Sequence, residues 1–185
     1  MLKNKAYKFR IYPNQKQMEL IEKTFGCTRF VFNYFLEQSI SSYKEEKITL
    51  RYKDYASILV ELKKEKEFLK EVDSISLQQS LRHLDAAYSN FFKNKETRFP
   101  KFKSKKNDKS YTTVTVNNNI KIEDKYIILP KLGKVKIKKH RLINQEEIIK
   151  SVVVSRLSNK YYVSLVVTYE AKEIVYNKIE SVIGL

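Results

Sequence analysis

Residues 5–12 read KAYKFRIY. Tyr7, Phe9 and Ile11 share one side of the alternation and Lys8 and Arg10 the other, so the period of two predicts a half-buried β-strand. Pro13 stops it. Asn14 with Gln17 three residues on then has the form of a helix capping box, and Met18, Leu20, Ile21 and Phe25 fall at helical spacing. The leading strand therefore has no partner near it in sequence. Its partners must come from the β-rich second half, which makes the helical stretch between them an insertion. That reading sets the fold class as α+β: a small antiparallel β-barrel interrupted by a helical bundle.

The insertion reads as four helices. Gly26 is placed to cap the first, and Phe30, Val31, Tyr34 and Phe35 carry a second towards Tyr43. Helix, glycine-containing turn and helix make a formal helix-turn-helix, a form that most helical hairpins share without touching DNA. Residues 44–50 read as a loop, and Tyr55, Ile58, Leu59 and Leu62 set a third helix over about 52–67. Asp73 or Ser74 caps a fourth, from about 75 to 94, through Leu77, Leu81, Leu84, Tyr88 and Phe91. The apolar stripes of such a bundle are core.

After residue 109 the period returns to two. Val114 and Val116 alternate with threonines, Asn117 to Asn119 make a turn, and Ile120 and Ile122 lead to a turn at Glu123-Asp124. Tyr126 to Leu129 follow, then a loop from Pro130, then Val135 and Ile137 between Lys134, Lys136 and Lys138. Ile148–Leu157 and Tyr161–Tyr169 close the series as a hairpin through Ser158-Asn159. Five or six short strands with a lysine-rich outer face make a small barrel.

Between bundle and barrel lies FFKNKETRFPKFKSKKNDK, residues 91–109. Phe91, Phe92, Phe99 and Phe102 sit among eight Lys or Arg and two acids, Glu96 and Asp108. Rings stack on bases and cations follow phosphates, which is what a single-stranded nucleic acid site requires. Pro100 fixes its own φ and holds Phe99 extended, so the run begins as a rigid non-helical arm.

The net charge of +16 over 185 residues points the same way, towards a polyanionic partner and an affinity that falls with salt. Residues 1–50 are net +4, residues 51–92 are neutral, and residues 93–185 are net +12. Cys27 is the only cysteine, which leaves no intramolecular disulfide and no cysteine zinc site, and suits a reducing cytoplasm. No apolar run is long enough to span a membrane, and the polar faces do not line one amphipathic helix. No nucleophile–base–orienter set is visible. His83 lies mid-helix, His140 lies in a lysine-rich turn, and the acids do not converge as a two-metal site requires. Three glycines make no phosphate loop. From residues alone this is a nucleic-acid-binding module, with no catalytic residue, metal site or small-molecule substrate.

Several segments together resemble one family. They are AYKFRIYPNQKQ (6–17), GCTRFVFNYFLEQ (26–38), SLQQSLRHLDAAYSNFF (76–92), RFPKFKSKK (98–106) with SYTTVTVNNNIKI (110–122), LPKLGKVKI (129–137) and KYYVSLVV (160–167). In this order they resemble the N-terminal half of transposon-encoded TnpB (OrfB) proteins, RNA-guided DNA endonucleases related to the type V CRISPR effectors. The resemblance implies an oligonucleotide-binding (OB)-like wedge barrel, residues 1–12 and 96–178, interrupted by a helical recognition domain, residues 13–95. It also implies that SVIGL (181–185) belongs to the first strand of a RuvC-like nuclease domain, with 179–185 as its start. The catalytic acids for divalent metal and the zinc cysteines would then lie beyond Leu185. The expectation is a bacterial or archaeal chain that binds and does not cut.

The same resemblance assigns partners and sites. The partners are guide RNA from the transposon end and target DNA, with a separate RuvC-containing chain as a further partner if the nuclease is split. Tyr52 and Gln78 match positions facing the DNA motif, with Ser74 and Asn117 beside them; Ser74 stands where the family can have lysine. Backbone contacts are expected from Arg10, Arg98, Lys101, Lys103, Lys105, Lys106, Lys134, Lys136 and Lys138, and base stacking from Phe99 and Phe102. The alternatives are a stand-alone helix-turn-helix regulator using residues 14–43 on duplex DNA, and one half of a split nuclease.

Overall fold

The computed structural model describes residues 1–94, 96–107, 109–144 and 146–170. In chain order the elements are β1 (Leu2–Tyr12), α1 (Gln15–Glu46), α2 (Tyr52–Glu65), a 3-10 turn (Glu67–Lys70) and α3 (Ser74–Lys93). Then come β2 (Ser110–Val114), β3 (Lys121–Glu123), β4 (Tyr126–Leu129), β5 (Gly133–Lys138), β6 (Ile148–Leu157) and β7 (Lys160–Glu170). The protein is α+β, with every strand of the described residues in one sheet ordered β2-β6-β7-β1-β5-β4-β3.

The leading strand finds its partners late in the chain. β1 lies near the middle of the sheet, antiparallel to β7 on one side, with Phe9 opposite Val163, and to β5 on the other, with Ile11 opposite Ile137. Tyr7, Phe9 and Ile11 are buried, as their alternation requires. The hairpin between β6 and β7 turns at Ser158, whose φ of 51° is the left-handed value such a tight turn needs. A closed barrel would require β2 and β3 to meet. Among the described residues they stand at opposite ends of the sheet order, so the sheet curls into a half-barrel.

The helical expectation changes at Gly26. α1 is one helix of 32 residues, about 48 Å long. Its first turn is fixed by the expected box: the Gln17 N–H donates to Asn14 Oδ1 at 2.9 Å, and the Asn14 N–H donates to Gln17 Oε1 at 3.0 Å. The helix continues through Gly26 because both sides are held in different cores. Ile21 and Phe25 pack into the sheet's core with Tyr111, Val154 and Val163, while Cys27, Val31, Phe35 and Leu36 pack with Tyr55, Leu59, Leu77 and Leu81. A glycine inside a helix costs roughly 1 kcal/mol relative to alanine, far less than the burial at either end contributes. The helix expected to end at Gly26 and the one expected through Phe30 towards Tyr43 are therefore one, and among the described residues the bundle has three α-helices and a 3-10 turn in place of four helices.

Several bonds tie the layers together. Asp73 caps α3, accepting from Ile75 N at 3.0 Å and Ser76 N at 3.2 Å, and also accepts the Thr113 hydroxyl of β2 at 2.6 Å. Ser80 Oγ donates to the Thr28 carbonyl at 2.6 Å, joining α3 to α1. Gln17 Nε2 donates to the carbonyls of Leu132 and Lys134, which seats the start of α1 on the β4–β5 loop. Among the described residues no helix is long and apolar enough to cross a membrane. The strand expected at 181–185, with Val182 and Ile183, lies outside the described residues.

Candidate nucleic-acid interface

The arm is fastened at Lys103 and again at its end, Lys109. Asn33 on α1 brackets the backbone of Lys103: its Nδ2 donates to the Lys103 carbonyl at 3.0 Å and its Oδ1 accepts the Lys103 N–H at 2.8 Å. The Lys103 ammonium lies 4.4 Å from the centre of the Phe32 ring. At the far end the Arg156 N–H of β6 donates to the Lys109 carbonyl at 3.0 Å. A long-range pair of bonds from one asparagine is invisible to local sequence reading, and Asn33 carries no signal that would have singled it out.

Where the arm meets α1 and β6 a cleft of about 670 Å³ opens, lined by Glu22, Phe25, Gly26, Arg29, Lys105, Lys106, Lys109 and Arg156. Five of these side chains are cationic and one is acidic. The carboxylate of Glu22 is already engaged, accepting the Tyr161 hydroxyl at 3.0 Å and pairing with Arg156 at 2.8 Å. The structure thus brings Lys105 and Lys106 together with Arg29, Lys109 and Arg156, which were not among the expected site residues. Arg98 and Lys101 are exposed along the outer part of the arm.

The two expected stacking rings differ. Phe102 is 56% exposed. Phe99, 43% exposed, also makes ring contacts within the protein, edge-on to Tyr88 at 5.6 Å and to Phe91 at 5.3 Å, in a recess of about 370 Å³ that also holds Tyr43 and Phe92.

A second cationic surface lies on the outer face of the sheet. Arg10 sits opposite Tyr162 on β7 and Lys138 on β5, while Tyr12 sits opposite Lys136, which in turn faces Tyr126 on β4. The Arg10 guanidinium lies over the Tyr12 ring at 4.8 Å, and the Lys8 ammonium over Tyr162 at 5.1 Å. Cations and rings are therefore interspersed across four strands, β7, β1, β5 and β4. Lys134 is drawn into an ion pair with Glu123 at 2.9 Å, whose hydrogen bond raises the lysine's pKa. The aromatic members Tyr12, Tyr126 and Tyr162 were missed in sequence because each reads locally as one more strand residue.

Three of the four residues expected to face a DNA motif, Tyr52, Ser74 and Gln78, lie on the helical layer. Ser74, Gln78 and Arg82 follow one another at successive turns of α3, and the Arg82 guanidinium covers the Tyr52 ring at 4.1 Å. Ser74 Oγ accepts from the Lys63 ammonium at 2.7 Å, so a lysine reaches this position from α2. Asn117 stands apart, in the left-handed turn after β2 with a φ of 50°.

A family model described as a helix-turn-helix domain, of the OrfB/IS605 kind, matches residues 1–47, which fold here as β1 and α1. A Streptomyces pristinaespiralis protein named as an RNA-guided DNA endonuclease is 39% identical over 113 residues, 60% of this chain and 28% of that protein. InsQ of Escherichia coli K12, also named as an RNA-guided DNA endonuclease, is 32% identical over 189 aligned positions, covering 100% of this chain and 45% of InsQ. The virulence protein VsdF of Salmonella dublin is 39% identical over 111 residues, 55% of this chain and 93% of VsdF.

The chain is similar to the N-terminal part of TnpB/OrfB-type proteins. It spans less than half the length of the two relatives named as endonucleases. Its two cationic surfaces carry the kind of side chains that bind phosphate.

Proposed function

We propose that this chain is the nucleic-acid-holding layer of a TnpB-type protein, binding a guide RNA from the transposon end and DNA beside the target, in the service of transposition. The observation that carries this reading is the fastened arm. Asn33 and Arg156 fix its course, so its cations are presented on a frame that does not have to be ordered at the moment of binding. The half-barrel acts as the wedge of this layer and the helices as its recognition part. On this reading the stripe of Ser74, Gln78, Arg82 and Tyr52 faces the target-side DNA, while the arm and the outer sheet face hold backbone phosphates.

Several acids of the described residues have structural roles. Glu22 and Glu147 accept from tyrosines and neighbour cations, Asp73 caps a helix, and Glu123 pairs with Lys134, so each already serves the fold. On this reading the cutting chemistry comes from sequence elsewhere, in the same protein or a separate RuvC-containing one. Among the described residues no three His, Cys, Asp or Glu side chains are grouped to hold a metal ion.

Binding of the full chain to transposon-end RNA and to duplex DNA across a salt titration tests this, beside the Lys101/Lys103/Lys105/Lys106→Ala variant. The expected result is RNA binding that survives moderate salt in the parent, and in the variant a salt slope shallower by about 0.7 per lost single-strand contact. Tight, sequence-selective duplex binding without RNA, indifferent to the four lysines, would instead make the chain a stand-alone regulator.

A further inference from the structure

Gly26 has no structural reason to be a glycine. It lies inside α1, in ordinary helical conformation, where glycine costs roughly 1 kcal/mol relative to alanine. A Cβ built on it would meet nothing within 4 Å, so no neighbour excludes a side chain. What it does is line the cationic cleft. Glu22, Gly26 and Arg29 follow at i, i+4 and i+7, one face of the helix, with the glycine between the acid that Arg156 neutralises and the arginine. Glycine without internal crowding or a left-handed φ is what a close approach from outside the chain calls for.

We infer that this cleft seats one strand of nucleic acid, with a phosphate lying directly against the α1 backbone at Gly26 and held by Arg29, Lys105, Lys106 and Lys109. This rests on the reading of a nucleic-acid-holding layer and assigns it a subsite. The volume of about 670 Å³ matches a site for a nucleotide or two of a single strand, while a duplex is confined to open surface. Because Glu22 is paired to Arg156 and Tyr161, its charge does not oppose the phosphate. Arginine supplies a planar fork for phosphate oxygens, and the arm's lysines supply point charges from the opposite wall.

The test is anisotropy binding of labelled single-stranded RNA, and of duplex DNA of the same length, to the full chain and to Gly26→Ala and Gly26→Leu, with thermal unfolding of each. Alanine and leucine are better helix formers than glycine, so both variants are expected to melt at or above the parent temperature. Gly26→Leu is expected to bind the RNA at least about tenfold more weakly, a loss set by displaced phosphate contacts, with Gly26→Ala in between and duplex affinity little changed. A folded Gly26→Leu with parental RNA affinity overturns the inference and leaves the wider reading standing. Should the leucine variant fail to fold, the alanine variant decides by the same criterion. If the parent binds neither RNA nor duplex at low salt, the wider reading falls and the subsite with it. Inorganic phosphate as competitor separates the remaining source: displacement of the RNA at low millimolar phosphate would make this a pocket for a free anion and overturn the strand assignment.

Discussion

Asn33 holds the arm with a single amide, and its two bonds to the Lys103 backbone are only partly shielded from water. Asn33→Ala is expected to cost about 1–2 kcal/mol and, more tellingly, to release residues 98–106 for cleavage by trypsin while the rest of the chain stays protected. Limited proteolysis followed by mass spectrometry reads this directly. Tyr55 makes a different point at the same scale. It is fully buried, its hydroxyl is bonded to Ser39 at 2.7 Å, and burial pushes its pKa up to about 12. The folded state therefore keeps a proton that the unfolded chain has released above its ordinary value near 10. Its contribution to stability is whole below pH 10 and falls between pH 10 and 12, by at most about 1.4 kcal/mol per pH unit. Tyr55→Phe lacks that loss, so the gap in urea-unfolding stability between parent and variant should narrow as pH rises through this window.

Among the elements, α3 depends on one side chain more than on its own helix propensity. Asp73 caps its first turn and also receives the Thr113 hydroxyl, so it serves the helix and the layer contact together. Asp73→Ala should cost about 2–3 kcal/mol in denaturant unfolding, and Thr113→Val about 1 kcal/mol. Because the two share a bond, the double variant should cost less than the sum. Much of this architecture is legible in the sequence. The alternation in residues 5–12, the Asn14–Gln17 box and the Asp73 cap act over a few residues, and each appears where its local pattern places it. The errors are non-local. Gly26 reads as a stop because the cores that carry α1 through it are assembled from residues tens of positions away on both sides. Sheet closure is likewise decided by where β2 and β3 end up, which no local period encodes. The site divides the same way: the cations of 98–109 announce themselves by density, whereas Arg29, Arg156 and Arg82 join the candidate surfaces only through the fold.

For the molecule as a whole, the two cationic surfaces make separable demands. Arg10, Lys136 and Lys138 sit on the sheet's outer face, and Lys105, Lys106 and Lys109 sit in the cleft beside α1. If one RNA spans both, removing either set should lower the salt slope by about 0.7 per lost contact, and removing both should lower it by the sum. Titrations of Arg10/Lys136/Lys138→Ala, of Lys105/Lys106/Lys109→Ala and of the combined variant measure this; a combined slope equal to that of one set alone would confine the RNA to one surface. The placement of β1 has a consequence of another kind, in time. Its ladder partners are β5 at 133–138 and β7 at 160–170, so a nascent chain holds an unpaired strand until most of the sheet has been synthesised. At about 5–20 residues per second the wait is on the order of ten seconds. During it, α1 to α3 can already assemble their own core while Tyr7, Phe9 and Ile11 remain open to a chaperone or to the strand of a neighbouring chain.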